Sequence, residues 1–345
     1  MSTGSENKLQ SWSYENTEEQ SHVITLTQDE KKQVKNIIEQ FPPLDLESIH
    51  DDLLTRVQLA SFQLPYRIVE RILRFRRSPE KGVLLVRNLP TDPELPPTPK
   101  DARPSPQKKT HSSEYTLLIH MLFLGEPIIY TEEKEGKLIN DICPVQGTDH
   151  TQEHTGSKKS FPFHTENAFH PYRPDHLGLI CLRSDHDQKA QTPVASIIDA
   201  LPLLPSAAIT LLRKPLYRIR PTQMFKHHED DQQMVAVLSG SLLEPDMRMH
   251  FRLMEGINPE AQWALDQLKS TLQQVALHYV LTPGDLFLIN NRRVVHGRST
   301  FTPCYDGNDR WIQRMFTVQD FQRSSFSRGK GQHLCVPLHV EFSVH

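Results

Sequence analysis

The sequence predicts an α+β fold, a β-sandwich or jelly roll with an α-helical flank. Three observations predict it. Helical spacing of apolar residues dominates the first third of the 345-residue chain. After residue 138 the chain becomes a series of short strand-like runs separated by turns. One long helical pattern, 258–280, interrupts those runs, and no internal repeat is present. Many short strands with helices packed on them suit a layered β architecture.

Taken in order, residues 1–22 are polar and acidic and read as a disordered lead-in. Thr27-Gln28-Asp29-Glu30 is a capping box, and Val34, Ile37, Ile38 and Phe41 follow at helical spacing. Two more helices are expected near 48–62 and 66–77, the latter gathering Ile68, Val69, Ile72, Leu73 and Phe75. Gly82–Val86 reads as a buried strand. Residues 90–112 are rich in proline and charge and cannot form regular helix or central strand. They read as a mobile surface loop inside one domain, 23–345, because the preceding elements lack a complete core. Residues 113–124 form a strongly apolar, central helix. The strand-like runs that follow are LINDICPV, HLGLICLR, TPVASII, LYRIR, MVAVLSG, MRMHFRLM, DLFLI and RWIQRMFTV. In the 258–280 helix, Trp263, Leu265, Leu268, Leu272 and Val275 mark the apolar positions, and 223–233 reads as a lid.

Composition narrows the function. A net charge of −3 gives no single-sign field, so neither nucleic acid nor an anionic membrane is expected as partner. No apolar run reaches the roughly 20 residues that span a bilayer. With no apolar leader either, a cytoplasmic location is the default expectation. Cys143, Cys181, Cys304 and Cys335 are scattered, which fits neither a zinc site nor a disulfide framework.

Phe163-His164-Thr165-Glu166 contains H-x-E. Residues i and i+2 of an extended segment point to one side, so His164 and Glu166 can reach one metal. Alone this is a weak signal among 18 histidines. Downstream, a turn at Pro283-Gly284 leads into a buried strand, and His296 follows at the end of Arg292-Arg293-Val294-Val295. Arg310 lies fourteen residues beyond His296 and shares a strand face with Ile312 and Arg314. Arginines on an apolar strand are costly without anionic partners, and the guanidinium fork matches a carboxylate. Two histidines and a carboxylate form the facial triad of non-haem Fe(II) oxygenases. The open positions can take the oxo-acid end of 2-oxoglutarate and O₂, while an arginine receives the far carboxylate. A zinc hydrolase fits less well, because there is no HExxH and no need for the arginine pair.

The stretches FPFHTENAFHPYRPDHLGLICLRSD and GDLFLINNRRVVHGRSTFTPCYDGNDRWIQRMF resemble the clavaminate-synthase-like branch of the TauD-type Fe(II)/2-oxoglutarate dioxygenases. The resemblance runs from about residue 113 to 325. It implies a double-stranded β-helix core, iron on His164, Glu166 and His296, and 2-oxoglutarate held by Arg310 and Thr192. It also implies that Arg314 holds the α-carboxylate of an amino-acid substrate, whose amine lies near Glu166. Several members carry an aspartate that binds the substrate's distal group, and here that position falls on His250. The missing anion could come from Asp230 and Asp231 in the lid, or His250 with Arg248 could select a different side chain.

The expected reaction is hydroxylation at Cβ or Cγ of a free, lysine- or arginine-like L-amino acid. Alternatives are a neutral or acidic amino acid, an amino acid in a peptide or on a carrier protein, and, remotely, a non-catalytic binding module. Halogenation is disfavoured because Glu166 keeps the carboxylate ligand. Oligomeric state is not legible.

Overall fold

The computed structural model describes residues 22–45, 50–77, 81–152, 154–222, 224–225, 233–329 and 332–337. The expected lead-in before His22 lies outside these residues. So does most of the expected lid, including Asp230 and Asp231.

The capping box forms as read: Thr27 Oγ1 accepts from the Glu30 N–H, and the Thr27 N–H donates to the Glu30 carboxylate, opening α1 (Gln28–Ile38). Helices α2 (Asp51–Ser61), α3 (Tyr66–Arg77) and α4 (Ser112–Met121) follow. α4 is buried along almost its whole length, as its apolar composition requires.

The large sheet is built on β1 (Val23–Thr25), β2 (Val83–Arg87), β4 (His176–Arg183), β7 (Leu286–Asn290) and β9 (Trp311–Val318), in the order β1-β2-β7-β4-β9. The short strands Glu126–Pro127 and Asn140–Ile142 also pair with β9. The small sheet holds β3 (Phe161–His164), β5 (Gln191–Ser196), β6 (Leu277–Val280) and β8 (Val294–Arg298), in the order β6-β5-β8-β3. Within these two sheets pairing is antiparallel except between β1 and β2.

The large sheet is apolar on both faces because both are covered. Leu84, Val86, Ile180, Leu182, Leu286, Leu288, Trp311 and Met315 join the core under α1–α4. The alternate positions, Leu85, Leu179, Phe287, Ile289, Ile312 and Phe316, share a second core with Val194, Ala195 and Val294 of the small sheet. Period-2 alternation thus sends Ile312, and with it Arg314, toward the space between the sheets. Gly178 lets α4 settle on β4, since a Cβ there would lie 2.5 Å from Met121 Sδ.

Three expectations are corrected. The 258–280 helix ends early: α7 spans Pro259–Gln274, after the short α5 (Ile197–Ala200) and α6 (Ser206–Leu212). Its expected tail is β6, which Tyr279 and its neighbours form by pairing with Gln191–Val194. MRMHFRLM is not one strand; a single bridge between His250 and His164 is followed by a turn and the strand Met254–Gly256. Of the stretch 90–112, residues 90–111 do lack helix and strand and Ser112 opens α4, but the stretch is tied inward rather than free. Lys108 is buried between Asp92 and Glu114, and the Thr98 hydroxyl donates to the Asp309 carbonyl at 2.7 Å. The cysteines are unbonded, and only Cys304 is exposed.

Candidate active site

β3 and β8 run side by side, and their register makes His164 and His296 cross-strand partners. Their ring centroids are 4.3 Å apart. Gly297 permits this approach, since a Cβ there would lie 2.6 Å from the Phe161 carbonyl oxygen. Glu166 follows β3, and its carboxylate Oε2 lies 3.4 Å from His296 Nε2 and 3.9 Å from His164 Nε2. One ligand atom from each of the three residues falls within 4.8 Å of the others.

The shell around the trio orients it. His164 Nδ1–H donates to the Pro162 carbonyl at 2.9 Å, which leaves the Nε2 lone pair facing the cluster. The Glu166 N–H donates to Asn291 Oδ1 at 2.6 Å, and Asn291 Nδ2 donates back to the Glu166 carbonyl at 3.1 Å. Asn167 then takes a positive φ of 47°, a conformation asparagine tolerates, which turns the chain away after the ligand.

His164 Nε2 and Glu166 Oε2 are buried and make no hydrogen bond among the described residues. Orphaned acceptors of this kind are costly in a protein interior unless something occupies the space between them. Two imidazole nitrogens and one carboxylate suit a divalent iron, so the residues fit the group expected of them. The electrostatics agree. Burial, then the neighbouring His296, pushes His164 down to about 4, keeping it neutral. Burial alone would raise Glu166, but Arg314 and the two histidines outweigh it and hold the carboxyl far below its ordinary range.

Two cavities meet at the cluster. One, of about 450 Å³ including its open mouth, is lined by Thr192, His296, Arg298, Arg310, Ile312 and Arg314 among others. Arg310 is buried, and its guanidinium makes no hydrogen bond or ion pair among the described residues. Arg298 lies beside it, its fork donating to the Gly156 and Lys159 carbonyls. Burial and then Arg310 push Arg298 down to about 9. A pocket with three guanidiniums and no carboxylate among its described lining is built for an anion.

The other cavity, about 610 Å³ including its open mouth, is lined by His164, Glu166, His250, Arg220, Arg252 and Arg314 among others. Arg314 is not a bare cation: it pairs with Glu133 and lies 3.2 Å from Glu166 Oε1. These two carboxylates more than offset its burial and raise its pKa. Glu133 also accepts from Asn167 Nδ2 at 3.0 Å, and burial pushes it up, opposed by Arg314.

Of the residues singled out from sequence, the trio, Arg310, Thr192, Arg314 and His250 converge on these cavities. Arg248 lines neither; its charge neighbours are Arg292 and Arg323. Glu133, Asn291, Arg298 and His154, the last lining both cavities, were not read from sequence. The Asn290-Asn291 pair at a strand end was the one available hint for Asn291.

Residues 120–316 match the family described as taurine catabolism dioxygenase TauD, TfdA. The chain is 38% identical to L-asparagine oxygenase of Streptomyces coelicolor over 256 residues, 74% of this chain and 76% of that protein. It is 32% identical to L-lysine 3-hydroxylase of Catenulispora acidiphila over 322 residues, 91% and 89% of the two. Its fold is similar to a crystal structure of asparagine oxygenase in complex with Fe(II), 2S,3S-3-hydroxyasparagine and succinate. That likeness has a TM-score of 0.85 at 32% identity, covering 91% of this chain and 99% of that one.

Proposed function

The chain belongs to the TauD/TfdA dioxygenase family, and on that premise we propose that it hydroxylates an unactivated C–H bond of a free L-amino acid, using Fe(II) and 2-oxoglutarate. The observation that carries the reading is the convergence of three buried ligand atoms where an anion pocket and a zwitterion pocket meet. Bound Fe(II) supplies the oxidising chemistry, in which the atoms of O₂ are divided between 2-oxoglutarate, leaving as succinate and CO₂, and the amino acid.

The remaining work falls to the chain's own residues. His164, Glu166 and His296 hold the metal. Arg310 receives the far carboxylate of 2-oxoglutarate, with the Thr192 hydroxyl beside it and Arg298 keeping the pocket positive. Arg314 meets the α-carboxylate of the amino-acid zwitterion, and Glu133, paired with it, holds it in place. Arg314 Nε is buried and without a hydrogen bond among the described residues, and an α-carboxylate would supply one. The amine lies near Glu166, whose carboxylate lines the same cavity. The enclosing pockets orient both molecules and exclude water from the reacting C–H bond. Attack at Cβ or Cγ is expected.

The two facing sheets support reading the core as a double-stranded β-helix within one domain, 23–345. No described helix is long and apolar enough to cross a membrane. Anaerobic Fe(II) titration of the wild type and of His164→Ala and His296→Ala tests the ligand set. The wild type binds one Fe(II) and the variants lose affinity by roughly 100-fold or more. Variants that bind Fe(II) like the wild type would overturn it.

A further inference from the structure

The far wall of the substrate cavity carries information that the metal and the zwitterion anchors do not use. His250 is buried, bridges to His164 across the sheet, and lines the cavity. Its Nδ1 sits 3.2 Å from both the Arg252 and the Leu253 backbone nitrogens, whose N–H groups donate to it. Two donors on Nδ1 require its lone pair, so the ring proton of the neutral imidazole resides on Nε2. Nε2 makes no hydrogen bond among the described residues. His250 therefore presents a fixed N–H donor, and no acceptor, to whatever fills the cavity.

Apart from Glu166, the charged side chains lining the cavity among the described residues are cationic. Arg220 and Arg252 line the same cavity at its exposed side, and neither guanidinium has an ion pair or hydrogen bond among the described residues. The only carboxylate among the described lining residues is Glu166, already shared between the metal cluster and Arg314. A lysine or arginine side chain entering here would meet a donor and two cations. A side-chain amide could accept from His250 but would leave both guanidiniums without an anion.

We propose that the site selects an L-amino acid with a carboxylate side chain, aspartate or glutamate, with His250 Nε2–H and the Arg220 and Arg252 guanidiniums as the selecting groups. This rests on the amino-acid hydroxylase reading above. The carboxylate accepts from His250 and is flanked by the two arginines, whose exposure limits each to a modest share of the selectivity.

The test is calorimetric binding to the anaerobic full-length protein loaded with Fe(II) and 2-oxoglutarate. The ligands are L-aspartate, L-asparagine, L-glutamate, L-glutamine, L-lysine and L-arginine, with succinate release measured in air alongside. An acidic amino acid should bind at least about tenfold tighter than its own amide and than either basic amino acid. Arg220→Gln and Arg252→Gln, both at exposed positions, should each weaken the acid about 3- to 10-fold and erode its preference over the amide. His250→Asp should reverse the preference. Tighter binding of lysine or arginine, with the anion then drawn from Glu229, Asp230 or Asp231, overturns the proposal and leaves the hydroxylase reading standing. So does an amide preference unaffected by the arginine variants. If no amino acid binds while 2-oxoglutarate does, the amino-acid reading fails and this inference with it.

Discussion

Replacing Arg310 by methionine should move stability and cosubstrate binding in opposite directions. Arg310 is buried between the sheets, and its guanidinium has no ion pair or hydrogen bond among the described residues. Without ligand it is a desolvated charge that the fold carries at a cost. Methionine keeps the length of the stem and packs against Ile312 and Leu179, which line the same cavity. The ligand-free variant should therefore gain about 1–3 kcal/mol, because exchanging a buried charge for an apolar residue of similar size is neutral to stabilising. For a chain of this size that is a rise of about 1–4 °C in melting temperature. The same change removes the partner of a buried carboxylate, a loss of about 3–5 kcal/mol. Binding of 2-oxoglutarate should weaken by a factor on the order of 10²–10⁴. Scanning calorimetry of the apoprotein gives the first quantity and anaerobic titration with 2-oxoglutarate the second. A variant that melts lower than wild type and binds 2-oxoglutarate normally would refute the reasoning, because Arg310 would then be a structural residue.

Other perturbations separate the remaining parts. Asn291→Ala removes both hydrogen bonds that clamp the Glu166 backbone, so Fe(II) affinity should fall about 10- to 100-fold with the three ligands intact, read by metal titration. Glu133→Gln keeps the shape of the Arg314 contact but removes the anion beside it; KM for the amino acid should rise about tenfold or more, with KM for 2-oxoglutarate unchanged in steady-state assays. His120 lies within α4, where burial holds it at about 4 against an ordinary 6.5, opposed by its bond to the Thr116 carbonyl. Between those values the unfolded chain takes up a proton that the folded chain refuses. Its contribution is complete above about pH 6.5 and is lost as pH falls toward 4, up to roughly 3 kcal/mol. Urea titrations at about pH 5 and pH 7 should show a smaller acid loss for His120→Leu than for the wild type.

What could be read from sequence followed from local signals. The capping box at Thr27, the period-2 runs ending in β9 and the H-x-E turn each state their geometry within a few residues. The end of α7 was misread because Leu277–Val280 has apolar residues that serve a helix or a strand, and only pairing with Gln191–Val194 decides between them. Glu133 was invisible for a related reason. It sits in the charged run Thr131-Glu132-Glu133-Lys134-Glu135, where every residue reads as solvated, and its burial arises only when Arg314 arrives from 181 residues away. Arg220 and Arg252 also acquire meaning only from the cavity they share. His250 did stand out in sequence as an odd residue for its position, but its role turned on which ring nitrogen carries the proton. Backbone N–H groups two and three residues downstream decide that.

The most direct test of the central claim follows one oxygen atom. The purified chain is reconstituted anaerobically with Fe(II) and 2-oxoglutarate, given the panel of free L-amino acids, and exposed to isotopically labelled O₂. The account predicts one labelled oxygen in the amino acid and one in succinate for each 2-oxoglutarate consumed, with none from His296→Ala. Succinate formed with no oxygenated amino acid from any member of the panel, or equal product from His296→Ala, would contradict it.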